Sequence, residues 1–221
     1  MSKWVYLSYE MSESLSNYGN GKGIEIEWIR SMDRGDTSNN SALKLPSHTG
    51  THLDYPFHFY NNGKKGSDYS VMDHVFESVS IIDISNETIQ DYLIRTNNLT
   101  LPENNKTRFL IIKTGFCEKR TKEEYWNFNW GFAPETAGFL KSKLPSLKAI
   151  GFDLISLSSY QQRETGRIAH KEFLEKNDIL IIEDMDLSHI SQNTIVNNLI
   201  VSPLRFKDAD GTPVTIFANI D

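Results

Sequence analysis

A short segment with three histidines and one carboxylate constrains this chain most. Residues 47–58 read Ser-His-Thr-Gly-Thr-His-Leu-Asp-Tyr-Pro-Phe-His and hold three of the six histidines. On a helix, Asp54 would point away from His48 and His52. On a straight strand the two histidines would lie roughly 13 Å apart, whereas two ligands of one zinc ion must lie within about 4 Å of each other. The backbone must therefore bend between them, and Gly50 is the residue type that permits the bend.

Two interpretations of this segment follow from the residues alone. Histidine is often half buried and Asp-Tyr-Pro is an ordinary turn, so a histidine-rich surface loop is one of them. The other is a metal-ligand cluster of His48, His52 and Asp54, with His58 as a spare base beyond the rigid Pro56. We favour the cluster, because the segment supplies both the ligands and a backbone able to gather them.

The same segment resembles the His-x-Gly-Thr-His-x-Asp-x-Pro-x-His signature of the metal-dependent cyclase family, whose best understood members are bacterial kynurenine formamidases. Every fixed position of that signature is filled. Weaker fragments continue the resemblance in order: Leu7-Ser8, Tyr18-Gly19, Thr114-Gly115, Gly151-Phe152-Asp153 with Ser156, Ile181-Ile182-Glu183-Asp184, and Asp210-Gly211-Thr212-Pro213-Val214. The resemblance implies a single α/β domain over residues 1–221, in a swivelling β/β/α arrangement that works as a homodimer or homotetramer.

Two further residues join the site through this resemblance. From the residues alone, His170 shares a helical face with Phe173 and Leu174 and is typical of a core histidine bonded to a carbonyl. Glu183 ends an apolar strand buried on both faces, where a lone carboxylate needs a partner. The resemblance places a histidine and a glutamate ligand at these two positions. The implied ligand set is His48, His52, Asp54, His170 and Glu183.

Such a set suits two divalent cations. Three imidazoles favour zinc, although manganese also fits, and two carboxylates can bridge ions about 3.5–4 Å apart. A bound water would then titrate at about pH 7, and the resulting hydroxide could attack an amide, lactam or N-formyl carbonyl. His58 is the expected catalytic proton shuttle, and the alternatives are a sixth ligand or a hydrogen-bond partner of a ligand.

The substrate pocket departs from the family pattern. In kynurenine formamidases an aromatic residue near the N-terminus packs on the aryl substrate, and Tyr18 occupies the matching position. The residue after the ligand aspartate is typically alanine there, whereas it is the bulky Tyr55 here, so we expect a changed pocket wall. Residues 33–40 and 125–130 could add aromatic surface, although aromatic clusters more often belong to a core.

Several polar residues lie outside the implied set. His74 and His189 have no ligand at useful spacing, so we expect structural or exposed roles. Asp184 and Asp186 flank the end of the metal-binding strand and are either groups that orient a ligand or solvated acids. Cys117 has charged neighbours, as in a surface turn, and no local signature marks it as a nucleophile.

Composition argues against two kinds of partner. A net charge of −6 and a pI near 5.5 disfavour nucleic acid, which normally binds a basic face. No apolar stretch approaches the ~20 residues that span a bilayer, so we expect no membrane partner. The single cysteine permits no intrachain disulfide and suits a reducing compartment. We therefore expect a cytoplasmic enzyme that acts on a small molecule.

Hydrophobic periodicity predicts alternating strands and helices in the second half, with strands and turns in the first half and in the tail. The predicted strands cover residues 78–84, 108–113, 148–153 and 178–183, and the predicted helices cover residues 86–95, 134–144 and 166–176. Residues 33–41 are predicted to be a polar surface loop or a lid.

The functional hypothesis is a metal-dependent, arylformamidase-like amidohydrolase that opens a carbon–nitrogen bond of a small aromatic substrate. One alternative is a cyclase or dehydratase of a secondary-metabolite pathway that uses the same cations to stabilise an enolate. Another is a metal-binding family member without turnover. His58 argues against the last alternative, because a pure binding protein needs no spare base beside its ligands.

Overall fold

The structure, a computed structural model, describes residues 2–15, 18 and 23–221. Its described strands are β1 (Lys3–Tyr6), β2 (Glu25–Arg30), β3 (Asn40–Lys44), β4 (His52–Asp54), β5 (Val75–Phe76), β6 (Val79–Asp83), β7 (Leu93–Ile94), β8 (Phe109–Lys113), β9 (Gly131–Phe132), β10 (Ala149–Phe152), β11 (Leu180–Glu183), β12 (Val196–Pro203) and β13 (Gly211–Ile220). Nine of them form one sheet in the order β5-β12-β13-β4-β11-β10-β8-β6, with β1 also paired to β13.

This sheet joins a parallel half to an antiparallel half. Strands β6, β8, β10 and β11 are parallel, and β4 is antiparallel to both β11 and β13. The edge strands β5 and β6 are separated by only two residues of chain, so the sheet curls back until it is nearly closed. The short strand β4 therefore lies in the middle of the sheet, where the two halves meet.

The two faces of the sheet bury two apolar clusters. In β8, Leu110 and Ile112 belong to one cluster, whereas Phe109 and Ile111 belong to the other, as the alternation of side chains along a strand requires. Every one of these four side chains is fully buried. Strands covered on both faces read as continuous apolar runs, which is why this half of the sheet was predictable.

Three helices accompany the sheet in the described part of the chain: α1 (Glu124–Asn127), α2 (Glu135–Lys143) and α3 (Arg163–Lys171). A π-helical turn, Glu172–Lys176, extends α3. Helices α2 and α3 contribute Leu140 and Ala169 to the same apolar cluster as Leu110. No described helix is both long enough and apolar enough to cross a membrane.

Strands β2 and β3 form a hairpin, here called the arm (residues 25–44), that pairs only with itself. Nearly all of its residues are exposed, including the large apolar side chains of Trp28, Ile29 and Leu43. Residues 33–41, predicted to be a surface loop or a lid, form most of the tip of the arm. The arm thus presents apolar surface that the described chain leaves uncovered.

Most of the predicted second-half elements are confirmed within a few residues, and so is the α/β fold class. The predicted helix at residues 86–95 is wrong. That segment forms turns and the two-residue strand β7, and Asp91 and Tyr92 both adopt left-handed backbone angles, with φ of 53° and 60°. A right-handed helix cannot continue through two consecutive left-handed residues.

Candidate active site

Strand β4 provides the frame of the site. His52 lies opposite Glu183 in the antiparallel pairing of β4 with β11. Leu53 belongs to the apolar cluster on the inner face of the curled sheet, so alternation directs His52 and Asp54 to the opposite face. Residues directly opposite each other on paired strands project to the same side. The register therefore brings three metal-ligand side chains together on one face of the sheet.

The predicted bend lies at Gly50, whose φ is +61°. That left-handed conformation is readily adopted by glycine alone. Thr51 anchors the bend, because its hydroxyl donates to the Asp184 carbonyl at 2.5 Å and accepts from the Tyr9 N–H at 3.0 Å. The bend carries His48 back until its Nδ1 lies 2.8 Å from Asp54 Oδ1.

Two histidines and two carboxylates form what we call the inner cluster: His52, Asp54, His170 and Glu183. His52 Nε2 lies 3.5 Å from Asp54 Oδ1 and 3.3 Å from Glu183 Oε2. His170 Nε2 lies 3.6 Å from Asp54 Oδ2 and 3.4 Å from Glu183 Oε1. All four side chains are buried, and no lysine or arginine pairs with either carboxylate among the described residues.

Backbone carbonyls orient both imidazoles of the inner cluster. His52 Nδ1 lies 2.8 Å from the Gly50 carbonyl, and His170 Nδ1 lies 2.8 Å from the Gly166 carbonyl. A carbonyl can only accept, so each Nδ1 carries the proton. In the neutral ring this leaves the Nε2 lone pair facing the carboxylates, which is the arrangement that metal-ligating histidines require.

The Glu183 carboxylate is also fixed from the loop that precedes α3. The Leu157 N–H donates to Glu183 Oε1 at 2.6 Å, and the Ser156 hydroxyl lies 3.3 Å from the same oxygen. Both contacts go to Oε1, so the other carboxylate oxygen of Glu183, Oε2, faces His52. Ser156 was one of the family fragments in the sequence, although its contact with Glu183 was not foreseen.

A second group, the outer cluster, consists of His48, His58 and Asp210 beside the shared Asp54. His48 Nε2 lies 3.0 Å from Asp210 Oδ2, and His58 Nδ1 lies 3.6 Å from the same oxygen. The rings of His48 and His58 stack with their centroids 3.8 Å apart. Sequence reasoning missed Asp210, although the Asp-Gly-Thr-Pro fragment that contains it was part of the family resemblance.

Opposing charges shift the pKa values across the two clusters. Burial lowers the pKa of His48, but the neighbouring carboxylates, Asp54 foremost, outweigh it and raise that pKa to about 10. Burial also lowers the pKa of His52 and of His170, but the Glu183 carboxylate outweighs this effect and raises both pKa values. Burial raises the pKa of Glu183, but the two imidazoles hold it well below its usual range. The site therefore favours added positive charge, and metal binding must release protons and strengthen as pH rises.

The donor set fits divalent metal ions. His48, Asp54 and His58 form one group of mutually close ligand atoms, and His52, Asp54 and Glu183 form another. The pair distances of 2.8–3.6 Å given above fall below ~4.2 Å, the largest separation of two ligands that each lie at ~2.1 Å from one ion. Asp54 belongs to both groups.

A cavity of about 230 Å³ opens over the two clusters. Tyr18, Phe59, Ile155, Arg163 and Arg167 line it in addition to the ligand residues. The Phe59 ring stacks on His170 at a centroid distance of 4.5 Å, and Tyr18 meets Tyr160 edge-on at 6.2 Å. The structure thus places Tyr18 beside the predicted ligands, and the cavity has the aromatic wall that an aryl substrate needs.

The expectation for Tyr55 is wrong. Its ring is 1% exposed and packs against Tyr69 and His74 on the inner face of the sheet, so it does not line the cavity. Alternation along the chain explains the difference, because Tyr55 follows Asp54 and projects to the opposite side. Residues 33–40 and 125–130 do not line the cavity either.

The remaining polar residues have other roles. His74 is buried and His189 is exposed, and neither approaches the clusters. Asp184 is a buried structural acid, since Arg120 binds it through Nε at 3.0 Å and the Tyr125 hydroxyl contacts it. Cys117 is buried and not in a surface turn, and burial raises the pKa of its thiol to about 12, which disfavours the nucleophilic thiolate.

Comparison with known proteins settles the family. The family model described as "Putative cyclase" matches residues 5–159. The chain belongs to the cyclase family. A kynurenine formamidase of Bacillus anthracis is 30% identical over 214 residues, which cover 96% of this chain and 95% of that relative. This confirms the resemblance inferred from the signature around His48.

Solved structures share the fold of this cyclase-family chain. Isatin hydrolase A from Labrenzia aggregata, bound to benzyl benzoate, superposes with a TM-score of 0.78 at 18% identity and covers 99% of this chain and 93% of its own. A "predicted metal-dependent hydrolase" from Bacillus stearothermophilus gives a TM-score of 0.77 at 18% identity, over 99% and 98% of the two chains.

Proposed function

We propose that this protein is a metal-dependent amidohydrolase that opens a carbon–nitrogen bond of a small aromatic amide, with N-formyl aryl amines as the first substrate class. The observation that carries the proposal is the pair of ligand groups that share Asp54, one of which contains His58, in an aromatic cavity. The kynurenine formamidase relative supports the same reaction.

We propose two cations per chain, with zinc as the first choice. Support comes from the two overlapping ligand groups and from the mixture of imidazoles and carboxylates, which suits zinc and also accepts manganese. The proposed ligands are His48, His52, Asp54, His170 and Glu183. Bound cations would supply a Lewis acid that polarises the amide carbonyl and lowers the pKa of water.

The side chains of the protein then position the substrate and move protons. Phe59 and Tyr18 contact the aryl group of the substrate. Glu183 and Asp54 form the metal-binding side of the cavity. His58 Nδ1 faces Asp210 Oδ2, so Nε2 is the nitrogen left to exchange protons with the reactants. His58 would take a proton from the attacking water and deliver it to the amine nitrogen as the carbon–nitrogen bond breaks.

Hydrolysis of a substrate panel tests this proposal. Purified protein loaded with zinc should hydrolyse N-formylkynurenine or a related N-formyl aryl amine, and chelation should abolish the activity until metal is returned. The panel should also contain aliphatic amides and lactams, since the cavity alone does not choose among carbonyl substrates. Failure to hydrolyse any member of the panel with metal bound would overturn the proposal.

We further propose that residues 1–221 form one domain that assembles as a homodimer or homotetramer in the cytoplasm. One sheet takes strands from both ends of the chain, which supports a single domain. The exposed apolar side chains of the arm, Trp28 foremost, support contact with a second copy. Light scattering of the parent and of Trp28→Ser tests the assembly, because an unchanged oligomer in the variant would remove the arm from the interface.

A further inference from the structure

A second cavity, of about 380 Å³ and here called the rear cavity, lies on the face of the sheet opposite the proposed metal ligands. Tyr55 projects to that face because it follows Asp54 along the chain. Its walls also include Gly66 and the loop between β12 and β13, residues 204–210. In the described part of the chain, no residue lines both this cavity and the one over the two clusters. The rear cavity is therefore separate from the proposed active site.

Positive charge lines the rear cavity, although the whole chain carries a net charge of −6. Arg205 and Lys207 are part of its wall, and none of the described residues that line it is acidic. Asp208, which lies between them in the sequence, pairs with Lys65 at 3.0 Å. Neither Arg205 nor Lys207 forms an ion pair with any residue that the structure describes. Two cations are thus available to an anionic ligand.

A buried hydroxyl group also reaches the rear cavity. Tyr55 is 1% exposed, and its hydroxyl has no hydrogen-bond partner in the described chain. A Cβ at Gly66 would lie 3.2 Å from Tyr55 Cζ, so the hydroxyl end of the ring lies beside a residue of the cavity wall. Burial raises the pKa of Tyr55 to about 12, although the charge of Arg205 opposes the shift. The hydroxyl therefore keeps its proton at neutral pH and is left to donate to a ligand.

Main-chain hydrogen bonds hold the walls of the rear cavity together. The Gly66 N–H donates to the Ala209 carbonyl at 3.0 Å, and the Tyr55 N–H donates to the Asp210 carbonyl at 3.0 Å. The Tyr55 hydroxyl is therefore in position before a ligand binds, which lowers the entropy cost of binding. The Asp210 carboxylate belongs to the outer cluster, so a ligand in the rear cavity would contact the loop that carries this residue.

We propose that the rear cavity binds the phosphate group of a small organic phosphate monoester through Arg205, Lys207 and the Tyr55 hydroxyl. A phosphate monoester carries a charge of about −1.5 to −2 at pH 7 and has three strong acceptor oxygens, which matches two cations and a fixed donor. Arginine suits phosphate because it offers paired N–H donors at a fixed spacing. The apolar side chains of Leu204 and Phe206 also line the cavity and would contact the organic part of the ester.

Phenyl phosphate is the probe that tests this site, and benzoate is its comparison because it keeps the ring but carries one charge and two oxygens. Calorimetry with the zinc-loaded protein should show tighter binding of phenyl phosphate. Tyr55→Phe should weaken that binding by about tenfold, since a hydrogen bond to a charged group is lost while the ring remains. Arg205→Gln should weaken it by a similar factor, and added salt should weaken it in the parent. Neither residue lines the cavity over the two clusters, so phosphate bound by zinc would persist in both variants.

Tyr92→Phe and Lys122→Gln are the matched controls, because they remove a hydroxyl and a positive charge from exposed residues that do not line the rear cavity. Both controls should keep the affinity of the parent, and all four variants should keep its metal content. If Tyr55→Phe lost metal, Arg205→Gln would decide the test, because residue 205 is exposed.

Three results would overturn the phosphate site, whatever the hydrolysis assay shows. The first is that the parent binds phenyl phosphate no more tightly than Arg205→Gln does. The second is that benzoate binds to the parent as tightly as phenyl phosphate. The third is that Lys122→Gln loses as much affinity as Arg205→Gln, since a general effect of surface charge would then explain the binding.

Discussion

Replacement of Gly211 by alanine tests the position of His48 without replacing a proposed ligand residue. A Cβ at residue 211 would lie 2.2 Å from His48 Cε1 and 2.8 Å from each ring nitrogen. Carbon atoms in contact normally lie about 3.5–4.0 Å apart, so the ring must move by roughly 1.5 Å. Metal–ligand distances tolerate only ~0.2 Å of change. Gly211→Ala should therefore release the metal that His48 binds and spare the inner cluster.

The assay is metal content after exhaustive dialysis, measured together with kcat on the best N-formyl substrate. Gly211→Ala should retain one equivalent of metal instead of two and lose on the order of 10² in kcat, the cost of misplacing a group by about 1 Å. Gly138→Ala is the matched control, because the added Cβ in the middle of α2 would have no neighbour within 4 Å apart from the helix's own backbone and the adjoining residues. If Gly211→Ala kept both metals and the parent's kcat, the assignment of His48 as a ligand would be refuted.

Three further substitutions address the base and the pocket. His58→Asn should keep both metals and lower kcat by ~10²–10⁴, whereas loss of metal would make His58 a ligand. Tyr18→Ala should raise KM for aryl substrates several-fold, since contacts between aromatic rings are worth ~0.5–1.5 kcal/mol. Tyr18→Trp keeps a ring and should be tolerated. An unchanged KM in Tyr18→Ala would show that Tyr18 does not bind the substrate. Tyr55→Ala should lower the unfolding free energy by ~3–5 kcal/mol and leave the aromatic-to-aliphatic ratio of kcat/KM unchanged, and a shifted ratio would contradict its position.

The local sequence was enough to predict the bend in the loop that carries the proposed ligands and the positions of the buried strands. The bend at Gly50 followed from ligand spacing and glycine chemistry, and doubly buried strands such as β8 read as unbroken apolar runs. Alternation along β4 would also have placed Tyr55 correctly, because Leu53 and Tyr55 share one face while His52 and Asp54 share the other.

The pairing of strands that lie far apart along the chain could not be predicted from the sequence. Asp210 comes to the site only because Gly211 in β13 pairs with Asp54 in β4, a contact between distant parts of the chain. The prediction of a helix at residues 86–95 was wrong for a local reason. The spacing of the apolar Ile89 and Leu93 is also compatible with a turn, and Asp91 and Tyr92 form that turn with left-handed backbone angles.

Metal stoichiometry is the most direct test of the central claim that two cations share Asp54. The parent and His189→Asn, an exposed control, should each hold two equivalents of metal per chain. His48→Asn should hold one, and Asp54→Asn should hold less than one, because the bridge serves both ions. A single equivalent in the parent, or two in Asp54→Asn, would contradict the shared site.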